Sequence, residues 1–211
     1  MPENEAAVSK VIVNAAVDDP KLIFNDWENN RKVNTTICHE LDTCKRFSFS
    51  VAFITSGGLA CILQNLDNNQ NDVTGRIITT DYLNFSEPKA LRTLLGFKNI
   101  KIKVYTKSGF HTKGYLFYRD NSKTLIVGSS NITQDALTKN KEWNVCVSSE
   151  ALYTPIVEET EAEFESMWRD ADELTEQWIA NYEPRYIKAK IKRDQQLFSE
   201  YPDIKKPNSM Q

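Results

Sequence analysis

A histidine and a lysine two positions apart, His111 and Lys113, are the residues of this sequence best suited to chemistry on a phosphate. If this segment is an extended strand, its two-residue period places both side chains on one side. The lysine would neutralise charge on phosphate oxygens, and the histidine would attack phosphorus or move a proton. Such a pair is common by chance, so its meaning depends on the neighbouring segments.

A small polar turn follows the next apolar segment. Thr124–Val127 predicts a buried strand that ends at Gly128, and Ser129 and Asn131 then fall at the turn into a short helix. Hydroxyl, amide and free backbone N–H groups at such a turn can bind a phosphate, or they can cap the helix. Glu142 opens a further apolar segment, and its carboxylate could hold an imidazole in one tautomer.

These residues resemble the signature of the phospholipase D superfamily, in which H-x-K is followed by a G-S-x-N turn. H-T-K and G-S-S-N match it here, and Glu142 falls where nucleases of the superfamily carry a glutamate. The sequence is also similar to the phospholipase D-like domain at the front of certain bacterial DEAD/DEAH-box helicases of superfamily 2, which share H-x-K-x-Y-x-F, G-S-S-N and E-W-N. The resemblance implies catalytic roles for His111, Lys113, Ser129, Asn131 and Glu142, and substrate contacts by Gly128, Ser130 and Ser56.

One position departs from the superfamily pattern. An aspartate usually lies seven positions after the histidine, where this sequence has Tyr118, and Asp120 follows two positions later. Asp120 would lie on the same side of the strand as position 118, but it is two residues out of the superfamily register. Tyr118 has the opposite strand phase from Lys113 and is predicted to be a core residue. The departure favours an alternative in which the pocket binds phosphate without turnover.

The elements around the motifs predict an α/β fold. Helical and extended patterns alternate before His111, which predicts a mixed sheet with helices on both faces. With the resemblance, residues 10–170 are expected to form a phospholipase D-like α-β-α sandwich after a disordered segment, 1–9. Residues 171–200 are expected to form a C-terminal helical extension, kinked or broken at its proline. Residues 201–211 include a P-x-x-x-Q segment that resembles the start of a helicase motor, so a linker to a motor domain is expected there.

The composition predicts a cytoplasmic protein of one domain. The 211 residues are 40% hydrophobic, which is enough for a core, and no segment has the apolar length of a membrane span. The polar, acidic start of the chain does not resemble a signal peptide. Four cysteines without a C-x-x-C pair and two histidines predict neither a metal site nor another cofactor. Because the formal net charge is −3, any site for a polyanion must be local.

The resemblance implies a metal-independent phosphodiesterase that acts on DNA through a phosphohistidine. The superfamily reaction needs two His-Lys sets, and this sequence carries one, so a homodimer with the pocket on its two-fold axis is expected. The expected partners are DNA, a second copy of the chain and a downstream helicase motor domain, without a membrane. Two alternatives stay open, namely a weak or inactive module that binds DNA or phosphate, and a dimerisation scaffold.

Overall fold

A computed structural model describes residues 19–68, 73–149 and 154–200. Within them, eight strands form one sheet. In chain order they are β1 (Lys21–Ile23), β2 (Arg46–Val51), β3 (Thr74–Thr80), β4 (Ile100–Tyr105), β5 (Lys113–Tyr118), β6 (Lys123–Gly128), β7 (Asn144–Ser149) and β8 (Asp172–Glu173). Their order across the sheet is β1-β7-β6-β5-β2-β3-β4-β8. The pairs β2-β3 and β3-β4 are parallel and the other pairs are antiparallel, so the sheet is mixed.

Helices lie on both faces of this sheet. They are α1 (Val33–Thr43), α2 (Ser56–Asn68), α3 (Pro88–Leu95), α4 (Gln134–Thr138), α5 (Pro155–Asp170) and α6 (Glu176–Glu200). Residues of α1, α2, α3, α4 and α6 share the larger core cluster, while α5 contributes to two smaller clusters on the opposite face. The predicted α/β fold with a mixed sheet is therefore confirmed. No described helix is both long and apolar enough to cross a membrane.

Alternate side chains of β2 point into the larger core cluster. Phe47, Phe49 and Val51 are buried in the larger core cluster. The ring of Phe49 packs against Tyr115 and Phe117 of β5, with centroids 5.0 and 5.4 Å apart. Because aromatic pairs across neighbouring strands stabilise strand pairing, these contacts hold β2 against β5.

Charged contacts attach α5 to its face of the sheet. Arg76 of β3 donates two hydrogen bonds to the Glu165 carboxylate, 3.1 and 2.5 Å long. The Arg76 guanidinium also lies 4.9 Å from the centre of the Phe164 ring. These hydrogen bonds hold the pKa of Glu165 below its ordinary value. A bidentate contact of this kind sets the position of the helix along the strand.

Several element boundaries differ from the sequence-based predictions. The sequence predicts a helix capped by Thr35 or Thr36, but α1 begins earlier, at Val33. The Asn25 side chain accepts the Val33 N–H at 3.0 Å. Helix α6 continues across Pro184 without a break. Its Ile179 and Tyr182 lie in the larger core cluster, and β8 pairs with β4. The predicted disordered segment 1–9 and the predicted linker lie outside the described residues.

Candidate active site

His111 and Lys113 lie at the edge of the sheet where β2 ends and β5 begins. Because β5 begins at Lys113, His111 lies just before the strand, so the two-residue strand period does not fix the direction of its side chain. The exposed His111 ring meets the Phe53 ring edge-on, with centroids 5.7 Å apart. The Ala52 N–H donates to the Thr112 carbonyl at 3.0 Å, which ties this segment to the end of β2.

Lys113 is almost completely buried, with 8% of the residue exposed. Its Nζ donates a hydrogen bond to the His111 carbonyl oxygen at 2.7 Å. Burial lowers the pKa of Lys113, and the negative charge of Glu142 partly opposes that shift. Because a desolvated ammonium lacks the stabilisation that water would give it, an anion beside Lys113 would be favourably bound.

The connection between β6 and β7 brings a hydroxyl and a carboxylate to the same edge. Ser129 Oγ donates to Glu142 Oε2 in a short hydrogen bond. The Ser129 N–H donates to the Trp143 carbonyl at 3.1 Å, and the Trp143 N–H donates to Ser129 Oγ, also at 3.1 Å. These reciprocal hydrogen bonds fix the Ser129 hydroxyl beside the carboxylate. Within the chain, therefore, Glu142 is hydrogen-bonded to Ser129 rather than to the His111 imidazole.

The turn itself is tightly packed. A Cβ atom at Gly128 would lie 2.2 Å from the Trp143 carbonyl oxygen, so only glycine permits this approach. Ser130 is fully buried, and its N–H donates to Asn144 Oδ1 at 3.2 Å while its Oγ accepts from Asn144 Nδ2 at 2.9 Å. Its carbonyl accepts the Tyr115 hydroxyl at 2.7 Å. Ser130 thus holds the turn in place, and this geometry does not bring it to a bound substrate.

Asn131 and Ser56 also make contacts that the sequence did not reveal. Asn131 Oδ1 accepts the Phe53 N–H at 3.0 Å, which joins the turn to the end of β2. Helix α4 is capped instead by Thr133, whose side chain accepts a backbone N–H at 3.3 Å. Ser56 is the first residue of α2, and its N–H donates to Glu87 Oε2 at 2.8 Å. The N-terminus of α2 is therefore already occupied by a carboxylate.

The two candidates for the superfamily aspartate lie at the far end of β5. Tyr118 is the last residue of that strand, five steps from Lys113 and hence about 17 Å away. It is buried, as predicted, and the Arg46 guanidinium lies 3.9 Å from the centre of its ring. Asp120 follows it and pairs with Lys45 at 2.6 Å. Neither residue reaches the His111 edge.

A groove of about 440 Å³ runs from this edge between the sheet and α5. Its lining includes His111, Thr112, Gly114, Leu116, Phe164 and Met167. A Cβ atom at Gly114 would meet no atom within 4 Å, so the floor of the groove is open there. The volume falls within the range typical of ligand sites, and the part of a substrate next to a bound phosphate would find room in it.

Sequence reasoning missed two residues that shape the site. Phe53 contacts both the His111 ring and the Asn131 side chain. Its signal is its place near the carboxyl end of the strand pattern 47–54, since ligands bind at such ends in α/β folds. Asn144 was noticed only as part of the E-W-N match, although its side chain organises the turn. No three His, Cys, Asp or Glu side chains in the described ranges cluster closely enough to hold a metal ion.

Comparisons with known proteins bear on the family and the fold. A family model described as "Cardiolipin synthase, PLD-like domain" matches residues 37–168. Nuc from Salmonella typhimurium, described as a phospholipase D family member, has a TM-score of 0.57 and 18% identity, covering 74% of this chain and 99% of its own. NucT from Helicobacter pylori has a TM-score of 0.56 and 13% identity, covering 75% of this chain and 100% of its own.

A larger protein shares the same fold. Phosphatidylserine synthase from Haemophilus influenzae Rd KW20 has a TM-score of 0.61 and 13% identity, and the alignment covers 88% of this chain and 48% of that one. The search of curated proteins found no match to the sequence. At these levels of identity, the structural similarities establish the fold.

Proposed function

This chain belongs to the family of phospholipase D-like domains, and we propose on that premise that it is a metal-independent phosphodiesterase acting on DNA. One observation carries the proposal, namely that His111, Lys113 and the Ser129–Glu142 pair meet at one edge of the sheet. An imidazole can attack phosphorus, and a desolvated ammonium can stabilise the charge that develops on the phosphate oxygens.

In the proposed reaction, His111 of one subunit attacks phosphorus, and a nitrogen–phosphorus bond forms as the bond to the leaving oxygen breaks. His111 of a second subunit gives that oxygen a proton and then accepts a proton from the attacking water. The water oxygen bonds to phosphorus as the nitrogen–phosphorus bond breaks, which restores both imidazoles. Lys113 of each subunit stabilises the oxygens, and losing one such donor raises the barrier by about 3 kcal/mol.

An exposed apolar surface beside the site supports the second subunit. Leu22, Val145 and Val127 lie in register on β1, β7 and β6, and they are 53%, 40% and 40% exposed. Trp143, which is bonded to Ser129, is 75% exposed. Contiguous apolar surface of this kind often marks an interface. A two-fold contact here would bring two copies of the His111 edge towards each other.

The tyrosine at position 118 does not count against turnover. An aspartate there would lie about 17 Å from Lys113 along β5, too far to contact a phosphate held at the His111 edge. Its replacement by a buried tyrosine therefore removes no group from the immediate site. The departure from the superfamily pattern changes the far end of the strand instead.

The test of the reaction is cleavage of single-stranded and plasmid DNA in EDTA by the protein and by His111→Ala. We expect cleavage by the unmodified protein and loss of at least about 100-fold in the variant, since nucleophile and acid are both removed. His39→Ala is the matched control, because His39 is the other histidine of the chain and is exposed on α1. Equal cleavage by the parent and His111→Ala would end the assignment.

The test of the dimer is the molar mass measured by light scattering. We expect Val127→Lys to convert a dimer into a monomer and to abolish cleavage, because the lysine charge would be buried at the contact. Ile187→Lys, at a half-exposed site on α6, is the control that should leave the mass unchanged. An active protein that is monomeric at assay concentration would contradict the shared site.

A binding module without turnover is the second candidate. It is favoured by the Lys113 ammonium, one of whose N–H groups already donates to the His111 carbonyl of its own chain. Such a module would keep its DNA affinity in His111→Ala, would show no turnover, and would weaken steeply with salt. The downstream motor domain that would receive the DNA stays a prediction from the resemblance, because residues 201–211 lie outside the described ranges.

A further inference from the structure

The loop between β3 and α3 exposes large apolar side chains next to the candidate active site. Tyr82, Leu83 and Phe85 are 48%, 51% and 38% exposed. The loop follows the carboxyl end of β3, the edge at which ligands bind in parallel α/β sheets. Three exposed apolar side chains within four residues at such an edge indicate a binding surface for a ligand or a macromolecule.

The loop backbone is held in an unfavourable conformation. Leu83 and Asn84 have φ angles of 58° and 53°, in the left-handed region that leucine rarely adopts. Arg193 of α6 donates to the Leu83 carbonyl at 3.0 Å and to the Asn84 carbonyl at 3.1 Å. Its guanidinium also lies 4.2 Å from the centre of the Phe85 ring. A strained loop that a neighbouring helix holds in place is typical of functional sites.

A row of rings connects this loop to the histidine. The Phe85 and Phe53 ring centroids are 4.8 Å apart, and those of Phe53 and His111 are 5.7 Å apart. The apolar loop and the candidate nucleophile are therefore two ends of one continuous surface. A ligand held at His111 would extend over the loop if it continued in this direction.

The adjoining side of α6 is basic. Arg185 pairs with Asp81 at the start of the loop at 3.1 Å, so this side of the helix faces the loop. Lys188 and Lys192 follow Arg185 by three and seven residues, which places them on the same side, and both are exposed. Within the described ranges neither lysine has an ion pair, although the chain as a whole is acidic.

We propose that loop 81–85 and the basic side of α6 form a track for unpaired nucleotides that leads to His111. Stacking rings and apolar side chains next to free cations are what single-stranded nucleic acid binds, because bases stack while phosphates pair with the charges. A duplex keeps its bases stacked inside and cannot use the loop. The inference rests on the proposed action on DNA and adds that the substrate is single-stranded.

The experiment measures binding separately from cleavage. Fluorescence anisotropy in the His111→Ala background compares a labelled single-stranded oligothymidylate with a hairpin duplex of the same length. The test variant is Tyr82→Ser combined with Leu83→Asn, since asparagine tolerates the left-handed backbone and the fold is kept. Ile187→Asn removes a side chain of matching exposure, 50% against 51% for Leu83, and serves as the control.

We expect the double variant to bind the single strand roughly five- to a hundredfold more weakly, with duplex binding and the control variant almost unchanged. Lys192→Gln should lower the slope of log affinity against log salt by about 0.7 for the single strand. Unchanged single-strand affinity, an equal loss for duplex, or no single-strand binding at all would overturn the track. So would conversion of a dimer to a monomer by the double variant, because the loop would then be a subunit contact.

The failure of the track and the failure of the proposed reaction give different results. If the unmodified protein cleaves DNA in EDTA but the double variant binds single strands normally, only the track is wrong. If the double variant loses single-strand affinity while the unmodified protein never cleaves, the track stands and the binding module replaces the phosphodiesterase.

Discussion

Restoring the superfamily aspartate at position 118 is expected to destabilise the fold without improving activity. The Tyr118 ring is buried with Leu116, Leu125 and Val157 in the cluster under α5. Replacing a buried aromatic ring by a small side chain costs about 3–5 kcal/mol. Burial, and to a smaller extent the charge of Glu161, raises the pKa of Tyr118. An aspartate carboxylate at this position would lie near the same Glu161 charge.

The nearby Arg46 would offset part of this penalty, since its guanidinium lies 3.9 Å from the centre of the Tyr118 ring. We therefore expect Tyr118→Asp to lower the free energy of unfolding by about 3–5 kcal/mol, a large part of the 5–15 kcal/mol typical of a domain. Tyr118→Phe is the matched control, because it keeps the ring and loses only the hydroxyl, at a cost of about 1 kcal/mol.

Urea unfolding followed by tryptophan fluorescence measures the stability of both variants at 25 °C. Cleavage rate and oligonucleotide affinity, each expressed per folded molecule, should match the parent, because position 118 is about 17 Å from Lys113. A rise in turnover in Tyr118→Asp would refute the reasoning, since it would show that the far end of β5 acts on the site. So would a loss of stability no larger than that of Tyr118→Phe.

Three further predictions concern the turn and α5. Gly128→Ala should lower the free energy of unfolding by about 1–3 kcal/mol and impair cleavage, because its Cβ would meet backbone atoms; a thermal midpoint equal to that of the parent would contradict this. Asn144→Ala should cost about 2–4 kcal/mol in urea unfolding, since Ser130 loses two buried hydrogen bonds; a loss under 1 kcal/mol would show that this clamp is dispensable. The hydrogen bond from Arg76 lowers the pKa of Glu165. The ionised Glu165 therefore contributes to the free energy of unfolding above the unfolded pKa of about 4.3, and this contribution is lost as pH falls through the lower folded pKa. Unfolding at pH 7 should therefore separate the parent from Glu165→Gln by up to about 1 kcal/mol, given the solvent screening, and that gap should close in acid; a gap that persists there would exclude the charge as its cause.

The sequence predicts those parts of the fold whose cause is local. Apolar and polar residues alternate from Ile100 to Tyr105, which predicts a strand with one buried and one exposed face, and β4 has these bounds. The prediction that α1 is capped by Thr35 or Thr36 is wrong, because Asn25, which lies outside the helix, accepts the Val33 N–H. Caps supplied by distant residues leave no trace in the local pattern.

In the candidate site, too, the features set by residues close in the chain could be predicted, and those set by distant residues could not. The His111 and Lys113 pair and the small polar turn could be found because their residues are neighbours in the chain. The contact between Asn131 and the Phe53 N–H spans 78 positions, and no spacing rule connects them. The loop held by Arg193 joins residues about a hundred positions apart, so the exposed apolar edge of the site became visible only in the fold.

Residues of the G-S-S-N signature have two different roles, since some hold the turn in place and one faces the candidate site. Ser129 and Ser130 are adjacent and identical in type, yet Ser129 is exposed beside Glu142 while Ser130 is fully buried under Asn144. The side-chain period of two at a strand end gives neighbouring residues opposite surroundings. Three of the four positions therefore hold the turn, and one faces the site. It follows that substitutions at Gly128 or Ser130 should affect the site more than the departure at position 118, although only the latter breaks the family pattern.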